Sequence, residues 1–361
     1  MIDRRKFTGL LTAGAGLVAM PAYLKGAGRD VVRLGNGAGV IDANLIFYIA
    51  GQNKRLRYFE EENVDLEITT LSGNAENIRM VAAGHVDTAS FTPLSFIQLS
   101  AKTPNLDLIC AYCWARSPYW MISVKPDSPY KSIGDLKGKR IGIRNQGDTG
   151  YDGARMMCAD FKLDPEKDME WVAVGDSGPG GDALYRDRVD ALAYMDTNTA
   201  RTVIAGYKLR TLPNSPGMQR LIGATWGVKK STLQANKDKY IRFFRAMAKS
   251  TVFAQQNPEI AVQMLWEDYP ETRPKGKSAA EAMQDALLIL ALRKTIWTAM
   301  PWQEDKRVGA MRKEEWDAQV EYIGYRDKVG DVTGMFTTEL IEGVNKFDRA
   351  AIVETAKTIK L

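Results

Sequence analysis

The spacing of apolar residues changes several times along the chain. Short apolar runs predict β-strands at 31–34, 64–68, 86–91, 106–114, 121–124, 140–143, 169–174, 191–195 and 221–228. Between them, apolar residues recur every three or four positions, which predicts helices at 41–59, 75–82, 94–101 and 151–161, a helical turn at 133–136 and a helix from about residue 181. Strands and helices that alternate in this way are typical of β-α-β units with a mainly parallel sheet.

From residue 233 onward, nearly every segment has helical spacing. Helices are predicted at 240–255, 258–266, 279–292, 313–325 and 337–345. The chain of 361 residues is long enough for two lobes of ordinary size. The pattern therefore predicts an α/β fold of two lobes, each a mainly parallel sheet flanked by helices, with a helical C-terminal extension.

The first residues resemble an export signal of the twin-arginine type. Arg4 and Arg5 precede a weakly apolar run at 9–20 that is too short to span a bilayer. A basic helix at a cytoplasmic N-terminus is the alternative, but the glycines in this run make a poor helix. We therefore expect residues 1–28 to direct export to the periplasm, with processing between Ala22 and Arg29. No cysteine follows the run, so no lipid anchor is expected.

Composition and charge narrow the function classes. Hydrophobic residues make up 45% and charged residues 26% of the chain, as in a water-soluble globular protein. The formal charge is +5, and the leader carries much of the surplus, so no nucleic-acid partner is indicated. Cys110 and Cys113 lie in a predicted buried strand, and with Cys158 they are interpreted as core thiols. His85 is the only histidine, so neither a metal nor another cofactor is expected.

Four segments in order resemble a known family. They are residues 51–67 (GQNKRLRYFEEENVDLE), 80–89 (MVAAGHVDTA), 133–143 (IGDLKGKRIGI) and 185–191 (YRDRVDA). Their residues and spacing are similar to those of type II periplasmic binding proteins of the NMT1/THI5-like and aliphatic-sulfonate (SsuA/TauA) group. Asn63 and Asp187 stand where the family usually has glycine.

The resemblance implies a two-lobed clamp that captures a small molecule and delivers it to an ABC importer. The expected partners are a small-molecule ligand and the inner-membrane permease with its ATPase, and the chain is expected to be monomeric and not an enzyme. Hinge crossings are expected at 116–119 and 223–227. Residues 29–116 and 227–361 would then form lobe one with the helical tail, and 117–226 would form lobe two.

Open α/β sheets bind ligands beyond the carboxyl ends of their strands, and the loops there supply the candidate site. The ligand-binding candidates are Asn36, Asp42, Asn44, Ser72, Asn74, Thr92, Trp114, Tyr119, Arg144, Gln146, Asp148, Thr149, Asp176, Asp196 and Trp226. For any one of them, capping of a helix or a solvated loop is the alternative role.

Aromatic and charged candidates point to different ligands. Arg144 near a helix start could hold an anion such as a sulfonate or nitrate. Asp148, Asp176 and Asp196 would repel an anion unless they are paired, whereas aromatic rings favour stacking on a flat ligand. An aromatic or N-heterocyclic ligand is therefore preferred, with the small anion as the alternative.

Two enzyme classes are the alternatives to a binding protein. A dinucleotide enzyme is disfavoured because the glycine-rich loop at 35–39 lacks the full fingerprint and its acidic partner. A pyrimidine-precursor synthase on the same fold would require a site rich in histidine and cysteine, which a single histidine does not supply.

Overall fold

The computed structural model describes residues 28–214 and 216–361, so the predicted export signal, apart from Gly28, lies outside the described residues. Within these ranges the strands form two five-stranded sheets. The strands are β1 (Asp30–Asn36), β2 (Val64–Thr70), β3 (Thr88–Phe91), β4 (Ile109–Ala115), β5 (Trp120–Val124), β6 (Arg140–Ile143), β7 (Glu170–Ala173), β8 (Ala191–Met195), β9 (Arg210–Thr211) and β10 (Ala224–Val228).

The first sheet has the strand order β2-β1-β3-β10-β4, and β10 runs antiparallel to both of its neighbours. β1 pairs in parallel with β2, from Asp30 opposite Val64 to Asn36 opposite Thr70. Val32 and Leu34 of β1 are fully buried because helices cover the sheet. We call this sheet and the elements packed on it the first lobe.

The second sheet has the order β7-β6-β8-β5-β9 and forms the second lobe. β6 pairs in parallel with β7 and β8, while β5 is antiparallel to β8 and β9. Each lobe therefore has one reversed strand in an otherwise parallel sheet. This arrangement confirms the predicted two-lobed α/β fold class.

The helices, in chain order, are α1 (Ile46–Ile49), α2 (Tyr58–Glu61), α3 (Asn74–Ala82), α4 (Pro93–Lys102), α5 (Thr149–Met157), α6 (Gly178–Tyr185), α7 (Asp196–Ile204), α8 (Lys230–Ala235), α9 (Lys237–Gln256), α10 (Pro258–Asp268), α11 (Ala279–Arg293), α12 (Lys313–Tyr322), α13 (Arg326–Val329), α14 (Ile341–Val344) and α15 (Arg349–Thr358). Short 3-10 turns lie at Ala43–Leu45, Ala50–Gln52, Ile133–Leu136, Cys158–Phe161, Pro216–Arg220 and Pro270–Thr272. None of the helices described is long and apolar enough to cross a bilayer.

The prediction of one continuous helix at 41–59 is wrong. The segment is a series of short turns, with α1 and α2 separated by a loop in which Arg57 has a φ of +52°. The side chain of Asn53 accepts a hydrogen bond from the backbone of Arg55 at 3.0 Å, which competes with helix formation. The predicted helix at 337–345 is also shorter, since only Ile341–Val344 is helical.

The long helix α9 organises the C-terminal extension. It packs against α1, α2, α14 and α15, all on the side of the first sheet. Phe243, Phe244 and Met247 of α9 are fully buried there. Helix α11 instead touches α7 of the second lobe and the turn Ala43–Leu45 of the first, so the extension also bridges the two lobes.

Strand β10 belongs to the first sheet from Ala224 to Val228, which overlaps the expected second hinge crossing. The domain limits stay a prediction. Cys110, Cys113 and Cys158 are buried free thiols, as interpreted for core cysteines. Burial raises the pKa of the Cys110 and Cys158 thiols to about 12, which keeps them protonated at neutral pH.

Candidate ligand-binding site

A cavity lies between the two lobes, beyond the carboxyl ends of strands from both sheets. The space between its walls, part of which is open to solvent, is about 520 Å³. Its aromatic lining residues are Phe47, Tyr48, Trp114, Tyr119 and Trp226. Its polar lining residues are Asn36, Asn44, Asn74, Asn77, Ser90, Thr149, Thr197 and Arg293, and its remaining walls are Gly37, Ala38, Leu45 and Met195.

The aromatic residues form one connected wall. The Trp114 ring stacks on Phe47 with the centroids 5.3 Å apart, and its centroid lies 5.4 Å from that of Tyr119. Trp226 lies 6.3 Å from Trp114 and meets Tyr48 edge-to-face at 5.9 Å. These separations are those of favourable aromatic pairs, and the rings present flat apolar surface to the cavity.

Arg293, at the end of α11, is the one cavity-lining residue of the described chain that is charged at neutral pH. Its guanidinium lies 4.5 Å from the ring centroid of Tyr119 and 5.2 Å from that of Trp114. Its Nε also donates to Asp196 Oδ2 at 3.1 Å. Both partners of this ion pair are buried, and they join the C-terminal extension to the second lobe.

The ion pair keeps the cavity close to electrically neutral. Burial raises the pKa of the Asp196 carboxyl, while the charge of Arg293 opposes this rise. The carboxylate accepts two hydrogen bonds from the guanidinium, which compensates for much of its lost hydration. A ligand in the cavity therefore meets a cation whose counter-charge is already in place.

The asparagines of the lining mostly hold the surrounding loops. Asn36 donates to the carbonyl of Val40 at 2.9 Å and accepts from the backbone of Ala38 at 3.1 Å. Asn44 donates to Asp42 at 2.6 Å, and Asn74 Oδ1 accepts from the backbone of Thr92 at 2.8 Å. These amides shape the cavity but have already used much of their hydrogen-bonding capacity.

The structure brings several of the sequence-predicted candidates together around the cavity. Those that line it are Asn36, Asn44, Asn74, Trp114, Tyr119, Thr149 and Trp226. Those that lie outside its lining are Asp42, Ser72, Thr92, Arg144, Gln146, Asp148, Asp176 and Asp196. Ligand contact by any of these residues stays a prediction.

Arg144 and Asp148 pair with each other outside the cavity. Arg144 Nε lies 3.0 Å from Asp148 Oδ1, and Arg144 also donates to the carbonyl of Ala38 across the lobes at 3.1 Å. Asp148 caps α5 by accepting from the backbone of Gly150 at 2.9 Å. Burial raises the pKa of Asp148, and the nearby guanidinium counteracts the shift. The carboxylate thus neutralises the arginine expected to hold an anion.

The remaining outlying candidates also have local roles. Asp42 caps the turn Ala43–Leu45 and forms an ion pair across the lobes with Arg201 at 2.6 Å. Asp176 accepts from the side chains of Ser177 at 2.7 Å and Asn198 at 2.5 Å. The side chains of Ser72 and Gln146 are exposed.

A second set of contacts between the lobes centres on Asp152 in α5. Its Oδ2 accepts from the hydroxyls of Thr92 at 2.7 Å and Ser95 at 2.5 Å, and Asn74 Nδ2 lies 3.4 Å away. The three donors belong to the first lobe and the acceptor to the second. Burial raises the pKa of Asp152, and the hydroxyl hydrogen bonds oppose the rise.

Sequence reasoning missed Phe47, Tyr48, Asn77, Arg293 and Asp152. Arg293 alone left a detectable signal. The buried positions of α11 are Ala282, Ala286, Leu290 and Arg293, so an arginine occupies the apolar stripe at helical spacing. A charged side chain on such a stripe indicates a buried partner. Phe47 and Tyr48 looked like ordinary core residues of a long helix, which does not exist.

The chain is similar to known proteins in sequence and in fold. Residues 42–261 match the profile of the family described as NMT1/THI5 like. No curated protein sequence gives a significant match. A solved protein of Bordetella bronchiseptica RB50 superposes with a TM-score of 0.67 at 16% identity, over 88% of this chain and 98% of its own.

Two further solved structures carry descriptive names. The alkanesulfonate-binding protein SsuA from Xanthomonas axonopodis pv. citri, bound to MOPS, has a TM-score of 0.53 at 15% identity, over 79% of this chain and 97% of its own. The periplasmic aliphatic sulphonate-binding protein SsuA from Escherichia coli has a TM-score of 0.53 at 16% identity, over 78% of this chain and 96% of its own. At these identities the likeness shows a shared fold.

Proposed function

The chain belongs to the NMT1/THI5-like family, and we propose from this premise that it is the solute-binding component of an ABC importer. A cavity lined by residues of both lobes lies between them, as in a clamp that captures a solute. Structural neighbours named as sulfonate-binding proteins support the same role. The partners proposed are the membrane permease and its ATPase, with the binding protein itself a monomer.

The ligand proposed is a small aromatic or N-heterocyclic molecule. The observation that carries this proposal is a cavity walled by five aromatic residues, in which the charge of Arg293 is balanced by Asp196. A flat, uncharged ring would bury its faces against this wall without separating the ion pair. The Arg144 anion site is not supported, because Arg144 is paired with Asp148 outside the cavity.

A sulfonate or nitrate ligand is the second candidate. Arg293 would then be the cation that holds it, in place of Arg144. The neighbours named for sulfonate binding favour this alternative. It requires the anion to compete with Asp196 for the guanidinium, so Asp196 should repel such a ligand.

A thermal-shift screen of the purified protein tests the ligand class. The panel should contain indole and nicotinamide as uncharged ring compounds, with ethanesulfonate and nitrate as small anions. A ligand that binds only the folded state stabilises it by about 2.7 kcal/mol at a concentration of 100 times its Kd. We expect at least one ring compound to raise the melting temperature; a rise with ethanesulfonate or nitrate alone would establish the anion alternative.

If the protein binds its ligand and does not convert it, two further experimental results are expected. Solution scattering should show a smaller radius of gyration when the stabilising ligand is added, because the lobes close around it. The ligand should also be recovered chemically unchanged after prolonged incubation with the protein. Turnover of the ligand would instead indicate an enzyme on the same fold.

Export to the periplasm by the twin-arginine route is part of the same proposal. The leader resembles such a signal, and one structural neighbour is named as periplasmic. Replacing Arg4 and Arg5 together with lysine should retain the protein in the cytoplasm. An unchanged periplasmic yield would contradict this route.

A further inference from the structure

Four cavity-lining residues have a buried polar atom without a hydrogen-bond partner among the described residues. The atoms are the Tyr48 hydroxyl, Asn77 Oδ1, the Thr149 hydroxyl and Trp226 Nε1. The four residues are 0%, 1%, 8% and 3% exposed, respectively. Buried polar groups are nearly always paired in folded proteins, so four such atoms around one cavity indicate contacts that a ligand completes.

The orientation of the Asn77 amide is fixed by its surroundings. Nδ2 donates to the carbonyl of Ser90 at 2.8 Å, which leaves Oδ1 as an acceptor in need of a donor. Gly37 packs directly against the amide, since a Cβ at Gly37 would lie 2.5 Å from Nδ2. This close approach excludes a side chain at position 37 that could supply the donor.

Trp226, unlike Asn77, needs a hydrogen-bond acceptor from the ligand. Its indole Nε1 can only donate a hydrogen bond. The residue is central in β10, paired with Ser90 of β3 on one side and Tyr112 of β4 on the other, so the ladder holds its backbone in place. The Tyr48 hydroxyl beside it can donate or accept. A ligand that pairs with both Asn77 Oδ1 and Trp226 Nε1 must therefore carry a hydrogen-bond donor and an acceptor.

We propose that the ligand is an uncharged heteroaromatic amide or lactam, whose N–H pairs with Asn77 Oδ1 and whose carbonyl oxygen pairs with Trp226 Nε1. This inference rests on the solute-binding function proposed above and narrows the ligand class. A sulfonate or nitrate offers acceptors only, so it would leave Asn77 Oδ1 unpaired. A ligand without the N–H should bind about ten to a hundred times more weakly, because a buried acceptor then stays unpaired.

Three ligands with one ring test the donor requirement by calorimetry. Nicotinamide has both an N–H donor and a carbonyl, methyl nicotinate keeps the carbonyl but lacks the donor, and nicotinate is an anion with acceptors only. We expect nicotinamide to bind at least about tenfold more tightly than either of the others. Equal or tighter binding of methyl nicotinate or nicotinate would overturn the inference while leaving a ring-binding protein in place.

The remaining outcomes separate the inference from the proposed function. If none of the three binds while indole does, the amide class is wrong and the proposed ring-binding function stands. If no ring compound of either panel binds, both the amide class and the proposed ring ligand are wrong.

Two substitutions assign the contacts to individual atoms. Trp226→Phe removes the indole N–H, so the affinities for nicotinamide and for methyl nicotinate should both fall by a similar factor of about ten. Asn77→Leu removes the acceptor, so the preference for the amide over the ester should disappear. An unchanged preference in Asn77→Leu would contradict the pairing of the amide N–H with Asn77.

Trp316→Phe is the matched control. Trp316 is also fully buried with an unpaired indole nitrogen, but it lies outside the cavity, stacked on Phe336. Its replacement should leave both affinities unchanged. Circular dichroism of each variant checks that the fold is retained, and the ligand series in the unaltered protein decides the inference should a variant fail to fold.

Discussion

The cavity and the Asp152 and Asp42 carboxylates that join the lobes around it differ in how far their polar groups are matched. In the cavity, Tyr48, Asn77, Thr149 and Trp226 each have a buried polar atom without a partner among the described residues. Between the lobes, Asp152 accepts hydrogen bonds from Thr92 and Ser95, and Asp42 pairs with Arg201. The chain's own residues thus satisfy these carboxylates between the lobes, whereas the ligand proposed above would pair with the polar atoms of the cavity.

The comparison also separates two roles for charge. Arg144 and Arg201 of the second lobe both reach the segment at 38–42 of the first, and each has a carboxylate partner. Arg293 is a charged residue that belongs to both regions, since it lines the cavity and forms a buried ion pair with Asp196 of the second lobe. Replacing it should therefore have the largest effect.

The first prediction concerns Arg293→Met, which leaves the Asp196 carboxylate buried without its partner. Removing one member of a buried ion pair costs about 3–5 kcal/mol. We expect the free energy of unfolding, measured by denaturant titration, to fall by an amount in that range.

Two further variants control this prediction. The double variant Arg293→Met with Asp196→Asn should recover part of the loss, because no buried charge is left unpaired. Arg186→Met removes the arginine of an exposed pair with Asp182 and should cost only about 0–1 kcal/mol. Equal decreases in the free energy of unfolding for Arg293→Met and Arg186→Met would show that the buried pair of Arg293 and Asp196 stabilises the fold no more than an exposed pair does.

The second prediction tests the contact between the lobes at Gly73. Its φ is +112°, and an added Cβ would lie 2.8 Å from the carbonyl oxygen of Gly147 in the other lobe. Gly206 has a φ of +98°, but nothing lies within 4 Å of the position of its Cβ. Alanine should strain the backbone by about 1–3 kcal/mol at either position. Only Gly73→Ala should also open the lobes.

Solution scattering distinguishes the two glycine variants. Gly73→Ala should give a larger radius of gyration than the unaltered protein, and Gly206→Ala should not. The same radius for both variants would mean that the close approach of Gly73 to Gly147 does not limit closure.

The third prediction compares Trp114, which lines the cavity, with Arg144, which lies outside its lining. Trp114→Ala should weaken binding of a ring ligand by about tenfold or more, since it removes a stacking surface of about 0.5–1.5 kcal/mol together with buried apolar area. Trp114→Phe should recover part of the affinity. Arg144→Ala should have a smaller effect, because Arg144 does not line the cavity. If calorimetry shows a larger loss of affinity in Arg144→Ala than in Trp114→Ala, an anionic ligand is favoured over a ring ligand.

The last prediction is a pH dependence from Asp152. Burial raises its pKa in the folded state, and Asp148 adds to the rise, while Ser95, Thr92 and Arg155 oppose it. A carboxyl with a raised folded pKa stabilises the fold below its unfolded pKa of about 3.9, and this contribution is lost as the pH rises through the folded value. The free energy of unfolding, compared with Asp152→Asn, should therefore decrease as the pH rises from about 4. A difference between the two proteins that stays constant with pH would contradict this prediction.

The sequence by itself determined the fold class and most of the strands. Strand β6 at Arg140–Ile143 and β8 at Ala191–Met195 lie where the apolar runs predicted them. Local pattern suffices here, because a buried strand needs a short apolar run and a turn at its end. The same reasoning placed Trp114, Tyr119 and Trp226 near the cleft, since strand-end and hinge positions converge in this fold.

Which polar residues line the cavity depends on the tertiary structure. Asp148 and Arg144 were equal candidates with Asn74 and Thr149 by position, yet they pair with each other outside the cavity. Arg293 reaches the cavity from α11, nearly a hundred positions from its partner Asp196. A side chain's partners depend on the packing of distant elements, and local periodicity carries no information about that packing.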